Sequence, residues 1–180
     1  MRELRTAFTE DNCKGCFWLY RKLLCVFLRK GFRTEEDMTS QEIKVYREIQ
    51  RNTGMAMKAI DTISDKINDE ELALQVSRQS LKYSELHNEA TKQLIEAKAV
   101  PYQSNYLEDA MLKTGIHYNT MLNTSTSHLA EMMIKGSNNG ILEMEKVLKN
   151  NTDAGEKPVA LAKQLIAFEE KNVQRLKQYL

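Results

Sequence analysis

Two short runs carry the side chains best suited to chemistry. Ser84-Glu85-Leu86-His87 lies in the middle of the chain and Glu169-Glu170-Lys171-Asn172 near its end. At helical spacing Glu169 falls in line with Ala162, Ile166, Val173 and Leu176, on the side expected to face a core. A carboxylate there needs a partner, because an unpaired buried charge is costly. His87, in line with Val76, Tyr83, Ala90 and Leu94, is the expected one. Three roles suit the pair. The simplest is a hydrogen-bonded contact that fixes how the helices register. The second is a mononuclear metal site completed by Asn172 or Glu143. The third is general acid–base catalysis, for which no nucleophile or oxyanion arrangement accompanies the pair.

Other candidates are weaker. Met55-Ala56-Met57, and His128 with Met132, are donors suited to a soft ion such as copper(I). Most of these methionines fall on predicted core faces, where a flexible thioether fills gaps. His117 reads as solvated. Cys13-Lys14-Gly15-Cys16 is a lone C-x-x-C. Cys25 does not supply the second ligand pair a zinc site needs, and no βαβ pattern surrounds the motif.

The elements that must position these residues are helical. The 180-residue chain suffices for one core, and it has only two prolines and seven glycines. A formal net charge of +1 provides no strong field for nucleic acid or acidic membranes. No apolar run reaches the roughly 18 residues of a transmembrane helix. Composition breaks at Met38. Residues 1–37 hold all three cysteines, the only tryptophan and four of the five phenylalanines. Their apolar run, Phe17 to Leu28, is split by Arg21-Lys22, unlike a secretory signal. The expectation is an atypical leader over 1–37, outside the native protein if translation starts at Met38, or else an amphipathic anchor. The body is then 38–180.

Within the body, Thr39-Ser40-Gln41-Glu42 has the residues of a helix start. An apolar stripe from Ile43 to Ile67 predicts a first helix over about 40–67. Asn68-Asp69 turns the chain into a second, over about 69–98, closed by Pro101. Its inward line is Leu72, Val76, Ser80, Tyr83, His87, Ala90, Leu94 and Ala97, widened by Leu74, Leu81 and Ile95. Residues 99–123 read as a crossover with a short helix from Tyr106 to Lys113 that Gly115 stops, or as part of one long bent helix from about 103 to 149. A third main helix follows Ser125-Thr126-Ser127. After the Asn150–Gly155 loop a fourth runs to Leu180, with Pro158 in its first turn. Gly54, and Gly136 with Gly140, are expected to let helix backbones approach closely.

The body repeats weakly. Asn52-Thr53-Gly54-Met55 is similar to Asn138-Asn139-Gly140-Ile141, and Leu81, Tyr83, Glu85, Lys92 and Gln93 match Ile166, Phe168, Glu170, Lys177 and Gln178, at shifts of 86 and 85. Two related helical hairpins joined by a crossover resemble the ferritin-like fold over residues 40–180. The resemblance implies an all-α, antiparallel four-helix bundle. In metal-binding members two helices each carry Glu-x-x-His and the other two each supply a Glu. Here those slots read Ser84-Glu85-Leu86-His87 and Glu169-Glu170-Lys171-Asn172, each keeping one ligand-like residue. The first helix presents Met57 or Gly54 on that face, and the third offers Glu143. A full dinuclear site cannot be built from these, so ferroxidase, oxygenase and iron-storage chemistry are not expected.

The run from His128 to Gly136 and on to Val147 also looks like that of small bacterial ferritin-like proteins that have lost their metal ligands. That resemblance implies a soluble bacterial protein of unknown activity that self-associates. The reading adopted is a cytoplasmic, non-catalytic protein with a structural or interaction role, a homodimer needing no cofactor. The alternative is a metal-binding protein or oxidoreductase with one transition-metal ion at His87, Glu169, Asn172 and Glu143.

Overall fold

The computed structural model describes residues 38–180, except the side chains at 106, 108, 118, 119, 121 and 122 within a helix. The leader and its C-x-x-C lie outside the described residues. Those described form five α-helices and no strand: α1 (Ser40–Ile63), α2 (Glu70–Glu96), α3 (Tyr106–Leu122), α4 (Thr126–Asn150) and α5 (Glu156–Leu176). Short 3-10 turns at Ser64–Lys66 and Lys177–Tyr179 extend α1 and α5.

The helix starts follow from their caps. The Thr39 hydroxyl accepts the Glu42 N–H at 3.3 Å, and the Glu42 carboxylate accepts the Thr39 N–H at 2.7 Å. This reciprocal box satisfies two of the donors that a helix start leaves free. The other Glu42 oxygen accepts the Gly155 N–H at 3.2 Å, so the cap of α1 also holds the start of α5. Asp69 caps α2 through the Leu72 N–H at 2.8 Å, and Ser125 caps α4 through that of His128 at 3.3 Å. α2 ends where Lys98 turns left-handed (φ 55°) and the Ala99 N–H bonds the Leu94 carbonyl at 2.8 Å.

Packing places α1 at the centre. It touches α2, α3, α4 and α5, while α4 packs along α5 and α2 also meets α5. The core joins Val45 and Ile49 of α1 to Leu72, Val76 and Leu94 of α2, Leu129 and Met144 of α4, and Leu165 of α5.

Three expectations are corrected. The segment before α4 is a full fifth helix of 17 residues, neither a short helix ending at Gly115 nor a continuation of α4. Gly115 has no left-handed φ, and a mid-helix glycine costs only about 1 kcal/mol, too little to end a helix. Asn123 ends it with an extended backbone (φ −158°, ψ 125°), and its side chain accepts the Ser125 N–H at 2.8 Å. Next, Leu74, Leu81 and Ile95 do not widen the inward line of α2 but are 53%, 73% and 60% exposed. Gln79 and Leu86 are buried instead, because α1 and α5 cover a single side of α2.

The third correction concerns the glycines. A Cβ at Gly54 would make only ordinary contact with His87, and one at Gly136 would meet nothing within 4 Å. Gly140 is the crowded position, and the group approaching it is a side chain, not a backbone. The Asn52 amide donates to the Gly140 carbonyl at 2.9 Å, and an added Cβ would lie 2.9 Å from Asn52 Oδ1. Gly140→Ala should therefore cost about 1–2 kcal/mol despite its better helix propensity, whereas Gly136→Ala should stabilise by up to about 1 kcal/mol. Urea unfolding of the two variants checks this, and equal midpoints would contradict the assignment of Gly140.

Candidate functional site

The polar centre is built on α2, α4 and α5. On α5 the buried stripe Ala162, Leu165, Glu169, Asn172 and Val173 is apolar except at two adjoining turns. Glu169 is 2% exposed and Asn172 fully buried. The Tyr83 hydroxyl of α2 donates to Glu169 Oε2 at 2.7 Å. The Asn172 amide donates to the Tyr83 hydroxyl at 3.5 Å, and Ser137 of α4 lines the same cavity as Tyr83 and Glu169. The ring of Phe168 packs edge-on against Tyr83, with centroids 5.1 Å apart.

Burial raises the Glu169 pKa above its ordinary value, and the bonds from Ser137, Tyr83 and Asn172 oppose that rise. Burial, and then the charge of Glu169, hold the Tyr83 hydroxyl well above its ordinary value, so it serves as a fixed donor.

His87 is not the partner of Glu169. It lies one turn beyond Tyr83 and points to α1. Its Nδ1 is 3.2 Å from the Gln50 carbonyl and 3.1 Å from the Thr53 hydroxyl. The hydroxyl proton of Thr53 goes to the Ile49 carbonyl at 2.7 Å, so both neighbours accept and Nδ1 carries the hydrogen. Burial lowers the His87 pKa, and the Gln50 carbonyl opposes this. Gln50 extends the network, donating to Thr91 at 2.6 Å and accepting the Tyr102 N–H at 2.7 Å. The two polar residues expected to meet therefore belong to separate seams, His87 between α1 and α2, and Glu169 among α2, α4 and α5. Tyr83 was already visible on the inward line of α2, and its longer side chain reaches α5.

The remaining candidates are dispersed. Glu143 is 45% exposed and pairs with Lys146 at 2.8 Å and Arg51 at 3.9 Å. Its pKa is held below the ordinary value, chiefly by the hydrogen bond from Lys146. Glu169 and Asn172 share Tyr83, and Glu169 and Glu143 line one cavity. Among the described residues no three His, Cys, Asp or Glu side chains are grouped as a metal ion would require.

The cavity has a volume of about 310 Å³. Ile60 and Ile63 of α1, Leu112 and Ile116 of α3, and Met132 and Met133 of α4 make much of its wall. Glu169, Tyr83, Ser137 and Gln79 give it a polar side. Gln79 is 3% exposed, and its Nε2 has no hydrogen-bond partner. Neither Ser137 nor Gln79 was singled out from the sequence, where each reads as an ordinary polar helical residue.

The raised Glu169 pKa has a consequence for stability. Between the ordinary 4.5 and the raised value, the native state binds more protons than the unfolded chain. Lowering the pH through that window therefore favours folding. His87 acts oppositely below its ordinary 6.5, where the unfolded chain is protonated first. Glu169→Gln removes the first effect and keeps the second. The unfolding free energy of the wild type should rise relative to Glu169→Gln as pH falls from 7 toward the ordinary carboxylate range of about 4–4.5. Parallel profiles for the two proteins would refute the buried, desolvated carboxylate.

No family model matches the chain, and no curated protein matches it. Among solved structures, the chain is similar to the crystal structure of a DUF305 fragment from Deinococcus radiodurans. The two align with a TM-score of 0.64 over 79% of this chain and 96% of the fragment, at 12% sequence identity. At that identity the likeness is one of helical fold.

Proposed function

We propose that the chain is a ferritin-like bundle that acts without catalysis, as a protein-association module pairing with a copy of itself in a bacterial cytoplasm. In this reading α1 with α2 and α4 with α5 form two antiparallel hairpins, and α3 is the crossover. The working unit is residues 38–180. The preferential packing of α1 on α2 and of α4 on α5 supports the hairpins, as do the short links between those helices.

The observation that carries the association reading is the outer face of α2. Leu74, Leu81 and Ile95 fall on one line, with Asn88 filling the position seven residues after Leu81. Seven-residue spacing keeps a line of side chains facing a second helix. Burying each large aliphatic side chain stabilises by up to about 1.5–3 kcal/mol. A single polar Asn in such a line favours one register over its alternatives. A metal-bearing role has less support, namely that Glu169 and Glu143 line one cavity while His87 faces α1.

Light scattering over a range of concentrations should show a dimer that Leu81→Lys converts to a monomer with unchanged helical circular dichroism. The substitution lies at a 73% exposed position and leaves the core alone. A wild type monomeric at every concentration would overturn the proposal. Elemental analysis of protein purified without chelator is expected to find no stoichiometric iron, manganese, zinc or copper. A stoichiometric metal lost on Glu169→Gln would establish the other reading.

A further inference from the structure

The cavity among the helices has the features of a ligand site, independently of how the chain associates. At about 310 Å³ it is far larger than packing defects of a well-ordered core. It is roughly twice the ~150 Å³ engineered cavity that accepts benzene and falls at the lower end of natural small-molecule pockets. Its walls are chiefly apolar, and three of them, Met55, Met132 and Met133, are flexible thioethers able to adapt to a guest.

The polar side sets the chemistry. Gln79 and Tyr83 stand one turn apart on α2, and both line the cavity with Glu169. The Gln79 Nε2 is buried with no acceptor, an unfavourable state until one arrives. The Glu169 carboxylate has about four lone-pair positions, and the Tyr83 hydroxyl donates to Oε2. Acceptor capacity and an unpaired donor are therefore both found on side chains that line the cavity. An ammonium group would suit the carboxylate but present its charge to the amide donor. A second carboxylate would be repelled by Glu169. A hydroxyl donates to Glu169 and accepts from the Gln79 amide, satisfying both.

We propose that this cavity binds a neutral apolar molecule carrying one hydroxyl group, of the alkylphenol or medium-chain alcohol class, with the hydroxyl between Gln79 and Glu169 and the apolar body against Met55, Ile60, Met132 and Ile116.

Isothermal titration of the full chain with 4-propylphenol and with propylbenzene tests it. The phenol should bind at one site per chain, at least tenfold more tightly than the hydrocarbon. Gln79→Leu should bring the phenol down to the affinity of propylbenzene. Gly136→Leu should abolish binding of both without lowering the melting temperature, because Gly136 lines the cavity and an added Cβ meets no atom within 4 Å. Three results would each overturn the proposal: no saturable binding of 4-propylphenol to the wild type, equal affinity for phenol and hydrocarbon, or wild-type binding by Gly136→Leu. The first two comparisons need no variant, so they stand even if Gln79→Leu fails to fold.

Discussion

The carboxylate of Glu169 sits inside a helical core at 2% exposure, and the arrangement around it answers the cost of placing it there. Removing a charged carboxylate from water is expensive unless hydrogen bonds replace its hydration. The Tyr83 hydroxyl of α2 donates to the carboxylate, and the Asn172 amide, from the next turn of α5, donates to that hydroxyl in turn. This chain fixes the rotation of α2 against α5, because a small turn of either would pull the donor away, while Ser137 adds a polar group from α4 at the same cavity. The edge-on contact of Phe168 with Tyr83 holds the ring that supplies the 2.7 Å bond to the carboxylate. The apolar stripes specify which faces meet, and the carboxylate specifies how they align.

α2 serves two polar seams within a single turn. Tyr83 addresses α5 and His87 addresses α1, where Gln50 and Thr53 receive it. Gln50 then ties Thr91 of α2 and the backbone at Tyr102, so the same seam also secures the chain leading toward α3. This division commits the His87 Nδ1–H to acceptors on α1. Its imidazole acts as a spacer between helices. The Asn52 contact to Gly140 plays a similar part between α1 and α4, where the lack of a Cβ admits the amide.

Much of the fold was legible because helix starts are local chemistry. Thr39 with Glu42, Asp69 and Ser125 each act as their types predict, and inward positions such as Val76, Leu94 and Leu165 follow the helical period. The extent of α3 was not legible, since an isolated glycine is a weak signal and the stop depends on the backbone of Asn123. Leu74, Leu81 and Ile95 were misread because periodicity reports apolar faces but not how many neighbours cover a helix. At the site, a buried carboxylate in need of a partner was evident from its line. The partner was not, because Tyr83 and His87 share one stripe, and choosing between them requires knowing which helix each faces. Ser137 and Gln79 gave no signal at all, for a polar residue on a helix is commonplace until its surroundings are known.

In helical bundles that carry two metal ions, carboxylates and histidines gather around cations that offset their charge. Here one carboxylate stands among a phenol, a hydroxyl and amides, all neutral donors. Neutral donors lower the cost of burial without abolishing it, which is why the Glu169 pKa stays raised. Small side chains, Ser137, Gly136 and Gly140, line the void beside the carboxylate, and Gln79 is left with a donor unused. Open volume and unsatisfied polarity thus fall at the same place, and those are the two conditions a small-molecule pocket needs.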